Sequence, residues 1–84
     1  MSSHPHNPRV LVTGAGGPAG VSVIRSLNAV ACVFAIDIDP CAVGLYLVGS
    51  ERRALVPRGE DFDFVDQIID LCRRWQIDVV VPTV

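Results

Sequence analysis

The chain has 84 residues, half of them hydrophobic, which allows one small domain and excludes a disordered chain. Its formal charge is −2 and its seven basic residues are all arginines, which excludes a general nucleic-acid surface and chemistry that requires a lysine. No apolar run is long enough for a membrane span, and we expect no signal peptide. Three cysteines without C-x-x-C spacing indicate reduced thiols, so we expect a cytoplasmic protein.

The first third of the chain predicts a strand, a glycine-rich turn and a helix. Residues 1–8 are polar and contain two prolines, so we expect a disordered arm there. An unbroken apolar run at residues 10–12 ends at Thr13 and predicts a strand buried on both faces. Four small residues break the run, and Pro18 then predicts the first turn of a helix that ends near Asn28.

The middle of the chain continues the alternation of strands and helices. Residues 32–36 form a second apolar run, which predicts a second strand that leads into Asp37. Residues 41–48 are apolar but short, and they predict a weak second helix. Residues 53–56 predict a third strand, which Pro57 stops.

The last third of the chain contains the longest predicted helix. Asp61 or Asp63 is the expected N-cap, because a carboxylate there accepts bonds from free backbone N–H groups. An apolar stripe at helical spacing follows, made of Phe64 or Val65, Ile68, Cys72 and Trp75. Residues 77–81 predict a fourth strand, which Pro82 ends.

These elements follow the order β-α-β-α-β-α-β. Strands that are separated by helical crossovers form a parallel sheet with right-handed connections. We therefore predict an α/β fold, a Rossmann-like three-layer domain over residues 9–84 with strand order 3-2-1-4. Doubly wound sheets normally contain more strands, so we expect this domain to be a truncated form.

A glycine-rich loop between the first strand and the first helix is the main candidate site. Such loops place backbone N–H groups against an anion at the start of a helix. The spacing matches both T-G-x-x-G-x-x-G and G-x-G-x-x-A, and Asp37 lies about where an acid contacts the ribose of a dinucleotide. A tight turn against a sheet also requires glycine without any ligand, so both interpretations stay open. The candidate substrate- or anion-binding residues are Gly14, Gly16, Gly17, Pro18 and Gly20, with Asp37 as a further candidate contact.

Two pairs of polar residues suggest a metal site. Asp37 and Asp39 form a D-x-D pair at the end of the second strand, and His4 and His6 form a second pair in the arm. Neither pair has a third ligand beside it, whereas metal sites in proteins normally have more. We therefore expect no metal site.

Several segments, in this order, resemble the N-terminal or pre-ATP-grasp domain of ATP-grasp ligases. They are RVLVTGAGGPAG at residues 9–20, DIDP at 37–40, AVGLYL at 42–47, VPRG at 56–59, FVD at 64–66 and IDVVVPT at 77–83. The likeness is strongest to the group of the carbamoyl-phosphate synthase large subunit, and it covers residues 9–84. The ordered series is more specific than the glycine loop alone.

The resemblance implies a substrate-side domain of a carboxylate ligase. In that family other subdomains clamp ATP with lysines and magnesium with acidic residues, and a carboxylate is activated as an acyl phosphate. The N-terminal domain forms one wall of the cleft, and its glycine loop faces the substrate. The expected partners are therefore a small-molecule carboxylate and an ATP-grasp domain that this sequence lacks. ATP and magnesium are expected as cofactors of the parent enzyme, and none is expected for this chain alone, which we expect to be inactive.

Two other functions stay open at this stage. One is the cofactor-binding half of an NAD(P)-dependent, short-chain-type oxidoreductase, although the sequence after Tyr46 lacks the lysine of the Tyr-x-x-x-Lys motif. The other is a non-catalytic interaction module. The fourth predicted strand carries no charge over residues 79–81, so we also expect self-association through residues 77–84.

Overall fold

The computed structural model contains one four-stranded parallel sheet in the predicted order 3-2-1-4. It describes residues 7–56 and 62–83. The strands are β1 (Arg9–Thr13), β2 (Cys32–Asp37), β3 (Arg53–Leu55) and β4 (Val79–Pro82). The helices are α1 (Pro18–Leu27), between β1 and β2, and α2 (Phe62–Trp75), between β3 and β4. The predicted α/β class and strand order are therefore confirmed.

The sheet is covered on both faces, by different helices. Val10 and Val12 of β1 lie in one apolar cluster with Ile24 of α1. Leu11 of the same strand lies in a second cluster with Leu71 of α2. Alternate residues of a strand face opposite sides of the sheet, so the unbroken apolar run in β1 places one side chain after another in each layer. The candidate site lies at the carboxyl ends of β1 and β2.

A cluster at the amino ends of the strands ties α2 and β4 to β1. The backbone N–H of Arg9 donates to the Asp78 carboxylate at 2.9 Å, and the Asp78 N–H donates back to the Arg9 carbonyl at 2.8 Å. The Arg9 Nε donates to the carbonyl of Trp75 at 2.7 Å, and its guanidinium lies 4.9 Å from the centre of the Phe34 ring. The return of the chain from α2 to the sheet is therefore fixed by backbone as well as side-chain bonds.

The second predicted helix is wrong in type. Residues 41–48 contain a 3₁₀ helix at Val43–Leu47 instead of an α-helix, and a second 3₁₀ helix follows at Ser50–Arg52. A β-carbon on Gly44 would overlap the carbonyl oxygen of Ala15, so this segment packs directly on the loop after β1. Glycine lowers α-helix propensity by about 1 kcal/mol, and the segment is too short to compensate for that loss. Among the described residues, neither α1 nor α2 is long and apolar enough to cross a membrane.

Side chains from the neighbouring strand hold the 3₁₀ helix in place. The Arg53 guanidinium lies 4.5 Å from the centre of the Tyr46 ring and donates to the Leu45 carbonyl at 3.3 Å. The Tyr46 hydroxyl donates to the Pro40 carbonyl at 2.6 Å. Arg53 is thus a structural residue at the edge strand β3.

Several other boundaries differ from the predictions by one or two residues. Helix α2 begins at Phe62, so Asp63 lies inside it and is not the N-cap, while Asp61 lies outside the described residues. Strand β4 begins at Val79 rather than at residue 77, because Asp78 is used in the turn against Arg9. Strand β3 ends one residue before the predicted end at residue 56, and β4 includes Pro82.

Strand β4 is an edge strand with apolar residues on both faces. Val79 is 51% exposed and Val80 is 41% exposed, although their partners in β1, Val10 and Leu11, are buried. An apolar edge strand is a site at which chains pair. Self-association through residues 77–84 stays a prediction, and residue 84 lies outside the described part of the chain.

We expect Val80→Lys to raise the fraction of monomer at high protein concentration. A lysine at an exposed edge position disfavours strand pairing and costs little stability, because its stem still covers the apolar surface. Light scattering at several protein concentrations measures the effect. The matched control is Val30→Lys, in the turn after α1, where the side chain is 62% exposed and belongs to no strand. Equal monomer fractions for wild type and both variants would contradict the prediction.

Candidate functional site

The glycine loop joins the carboxyl end of β1 to the first turn of α1. Gly14 has a positive φ of 69°, and its carbonyl accepts a bond from the Gly17 N–H at 3.2 Å, which closes the turn. Only glycine adopts that backbone conformation at no cost. Gly17 is the N-cap in an extended conformation, and Pro18 begins α1 as predicted. The loop therefore lies where the sequence analysis placed it, at the start of a helix and at the carboxyl edge of the sheet.

The carboxylate of Asp37 is bonded to this loop. Its Oδ2 accepts a bond from the Gly16 N–H at 2.6 Å, and its Oδ1 accepts one from the Asp39 N–H at 3.1 Å. Asp37 is thus placed beside the loop, but it contacts the chain itself. One of the loop's N–H groups is already paired with an internal anion and is not free for a ligand.

At three positions in this region, close packing leaves no room for a β-carbon and therefore requires glycine. A β-carbon on Gly20 would overlap the carbonyl oxygen of Gly14, and one on Gly16 would lie 2.7 Å from the Ala42 Cβ. Gly44 meets the loop from the 3₁₀ helix in the same way. The nearest atom to a β-carbon on Gly17 would be the Gly14 oxygen at 3.8 Å, an ordinary contact. Gly17 is therefore the loop glycine whose identity neither packing nor a positive φ requires.

The first turn of α1 has free donors beside Gly17. Among the described residues, no backbone carbonyl accepts a bond from the N–H of Ala19 or Gly20, whereas the Val21 N–H donates to Gly17 at 3.0 Å. Pro18 has no N–H. Unpaired N–H groups at a helix start carry a partial positive charge and attract anions. These two groups, rather than the Gly16 N–H, are the unpaired donors at the start of α1, where Ala19 is exposed and Gly20 is buried.

Thr83 connects the end of β4 to the loop. Its Oγ1 lies 3.2 Å from the Gly14 carbonyl oxygen and 2.5 Å from that of Thr13, so the hydroxyl donates to this pair of carbonyls. Thr83 is a site residue that the sequence motifs alone do not indicate. Two features of the sequence could have indicated this role. Thr83 follows directly after an apolar strand, and the predicted strand order places β4 beside β1.

A cavity of about 270 Å³ lies beside the loop, at the carboxyl ends of β1 and β2. Ligand sites in doubly wound folds lie in the crevice outside the carboxyl ends of the strands. Most of the lining is apolar, and the described lining residues are Thr13, Gly14, Ile36, Asp37, Ile38, Val56 and Phe64. Asp37 therefore borders both the glycine loop and the cavity.

The remaining metal-ligand candidates of the sequence are the pair His4 and His6, together with Asp39. His4 and His6 lie outside the described residues, and no group of three potential metal ligands exists within the described part of the chain. Asp39 accepts a bond from the Cys41 N–H at 2.9 Å. The three cysteines are free thiols, and burial raises the pKa of the Cys72 thiol.

No protein-family model and no curated protein sequence matches this chain. A relationship to ATP-grasp ligases therefore rests on the ordered segments that resemble that family and stays a proposal. The residues that carry the site remain those that the geometry brings together, which are the glycine loop, Asp37 and Thr83.

Proposed function

We propose that this chain is the substrate-side N-terminal domain of an ATP-dependent carboxylate ligase of the ATP-grasp type, similar to carbamoyl-phosphate synthase. The observation that carries the proposal is the pair of free N–H groups of Ala19 and Gly20 at the carboxyl edge of the sheet. Gly17, beside them, leaves room for an approaching ligand. A carboxylate or an acyl phosphate is an anion of the kind that such a helix start binds.

ATP and magnesium belong to other parts of the enzyme in this proposal. The chain contains no lysine, so it lacks the side chains with which the ATP clamp of that family holds the phosphates. Within the described residues no cluster of acidic side chains is suited to a magnesium ion. The partner is therefore an ATP-grasp domain that supplies the nucleotide clamp, and this chain supplies one wall of the substrate cleft.

Hydroxylamine trapping tests the proposed reaction. An acyl phosphate that forms from ATP and a carboxylate reacts with hydroxylamine and gives a hydroxamate. We expect ATP-dependent hydroxamate from this chain combined with its ATP-grasp partner, and none from this chain alone. Gly17→Val places a branched side chain beside the free N–H groups and is expected to lower the yield at least about tenfold, an effect of about 1.4 kcal/mol. Val30→Lys is the folded control. A yield that is independent of ATP, or unaffected by Gly17→Val, would contradict the proposal.

The nicotinamide alternative predicts a different ligand for the same loop. In dinucleotide-binding proteins the acid after the second strand binds the ribose. Here two of the roughly four acceptor sites of the Asp37 carboxylate are occupied by the N–H groups of Gly16 and Asp39, so fewer sites remain for the ribose hydroxyls. We therefore expect NAD and NADP to bind no better than about millimolar, about −4 kcal/mol. Calorimetry measures this, and micromolar NAD binding that is lost in Asp37→Ala would support the oxidoreductase instead.

A further inference from the structure

The cavity beside the glycine loop has an apolar body and an apolar rim. Ile36 and Val56 are buried in its wall, whereas Ile38 at its mouth is 51% exposed. An isoleucine between two aspartates on a surface costs free energy that a bound apolar group would recover. A cavity of about 150 Å³ accommodates benzene in other proteins, so about 270 Å³ is enough for a substituted ring or a branched aliphatic group.

Among the described residues that line this cavity, the charge is negative. Asp37 is the charged residue among its described lining residues, and the Asp39 carboxylate lies two residues further along the chain. The bonds from Gly16 and Asp39 leave lone pairs of the Asp37 carboxylate free, because a carboxylate has about four acceptor sites. A cation or an N–H donor is therefore favoured at its edge and an anion is disfavoured.

We propose that this cavity binds a second substrate of the ligase, an amine, with its apolar group in the cavity and its ammonium group against Asp37. This inference rests on the proposed function, in which a carboxylate binds at the free N–H groups of α1 instead. Gly14 belongs to both the loop and the cavity lining, so the two sites adjoin. Opposite charges on the two sides of the loop separate the two substrates, with the anion at the helix start and the cation at Asp37.

Three probes of similar size test the charge preference of the cavity. Benzylamine, benzyl alcohol and benzoate share a ring and differ in charge at neutral pH. Chemical shifts of the methyl groups of Ile36, Ile38 and Val56 report binding in the cavity. We expect benzylamine to bind about fivefold more tightly than benzyl alcohol, because an exposed ion pair contributes about that difference in affinity. We expect benzoate to bind more weakly than both. Raising the salt concentration is expected to weaken benzylamine alone.

Two matched variants assign the preference to one carboxylate. Asp37→Asn removes the charge and keeps one oxygen, which can accept the Gly16 bond, while the bond from the Asp39 N–H is lost. The three probes should then bind within about twofold of one another. Asp39→Asn removes a neighbouring charge outside the cavity lining and should keep most of the preference. If Asp37→Asn does not fold, two other measurements test the inference. The salt dependence of benzylamine binding to wild type tests the charge preference. The affinities of Ile38→Ala, which should fall for all three probes, test binding in the cavity.

Benzoate binding as tightly as benzylamine, or shifts confined to residues outside the cavity, would overturn the inference. Adenosine is a fourth probe, because its ring fits an apolar cavity and its ribose hydroxyls can donate to a carboxylate. Tighter binding of adenosine than of benzylamine would also overturn it. These results are separate from hydroxamate formation, so a failed amine site leaves the proposed ligase reaction standing, and a failed ligase reaction leaves the measured charge preference intact.

Discussion

Phe34→Ala is expected to lower the free energy of unfolding by about 3–5 kcal/mol. Phe34 is 2% exposed and packs between the sheet and α2, with its ring centre 4.9 Å from that of Trp75. The same ring faces the Arg9 guanidinium. The substitution therefore leaves a cavity and also removes an aromatic pair. A domain of this length has about 4–13 kcal/mol in total, so the loss is a large fraction of it.

Urea denaturation followed by tryptophan fluorescence measures this loss, since Trp75 reports directly on the contact. Val30→Ala is the matched control, because Val30 is exposed and its truncation should change stability by less than about 0.5 kcal/mol. A loss below about 1 kcal/mol for Phe34→Ala would mean that α2 does not pack on this face of the sheet.

Gly20→Ala is expected to destabilise the chain by about 2 kcal/mol. The new β-carbon meets the carbonyl oxygen of Gly14, a backbone atom that also accepts bonds from Gly17 and Thr83 and cannot move away freely. Overpacking of this kind costs up to about 3 kcal/mol. Alanine has a higher helix propensity than glycine by about 1 kcal/mol, which offsets only part of that cost.

Gly17→Ala is the control for this prediction, at the same loop and with the same chemical change. Its backbone, with φ of −81° and ψ of 165°, suits alanine, and the β-carbon has space. We expect a change within about 1 kcal/mol, because the loss of a preferred N-cap residue and the reduced entropy of the unfolded chain act in opposite directions. Thermal unfolding of both variants measures the difference. Equal effects at both positions would contradict the packing explanation of Gly20.

The sequence predicts those parts of the fold that depend on pattern alone. The apolar run before Thr13 and the stripe that includes Ile68 and Cys72 lie in the two clusters, because periodicity decides which face of an element is buried. The strand order follows from parallel crossovers, whose handedness is nearly fixed. The position of the glycine loop follows from Pro18, which starts a helix in a way that few other residues do.

The parts that the sequence does not predict depend on contacts between distant residues. The 3₁₀ helix replaces an α-helix because Gly44 packs on the Ala15 carbonyl, a contact that exists only after the loop has folded. The Asp37 carboxylate accepts a bond from the Gly16 N–H because the end of β2 lies beside the loop. The role of Thr83 requires β4 to lie beside β1.

The most direct test of the substrate-side assignment is a titration followed through the backbone amide spectrum of this chain. Acetyl phosphate is a small acyl phosphate, and we expect it to shift the amide signals of Ala19 and Gly20 saturably, at millimolar concentration. The Gly16 amide should not shift, because it remains bonded to the Asp37 carboxylate. Magnesium–ATP should leave all three amides unchanged at the same concentration. Saturable shifts with micromolar magnesium–ATP, or no response of Ala19 and Gly20 to acetyl phosphate, would contradict the assignment.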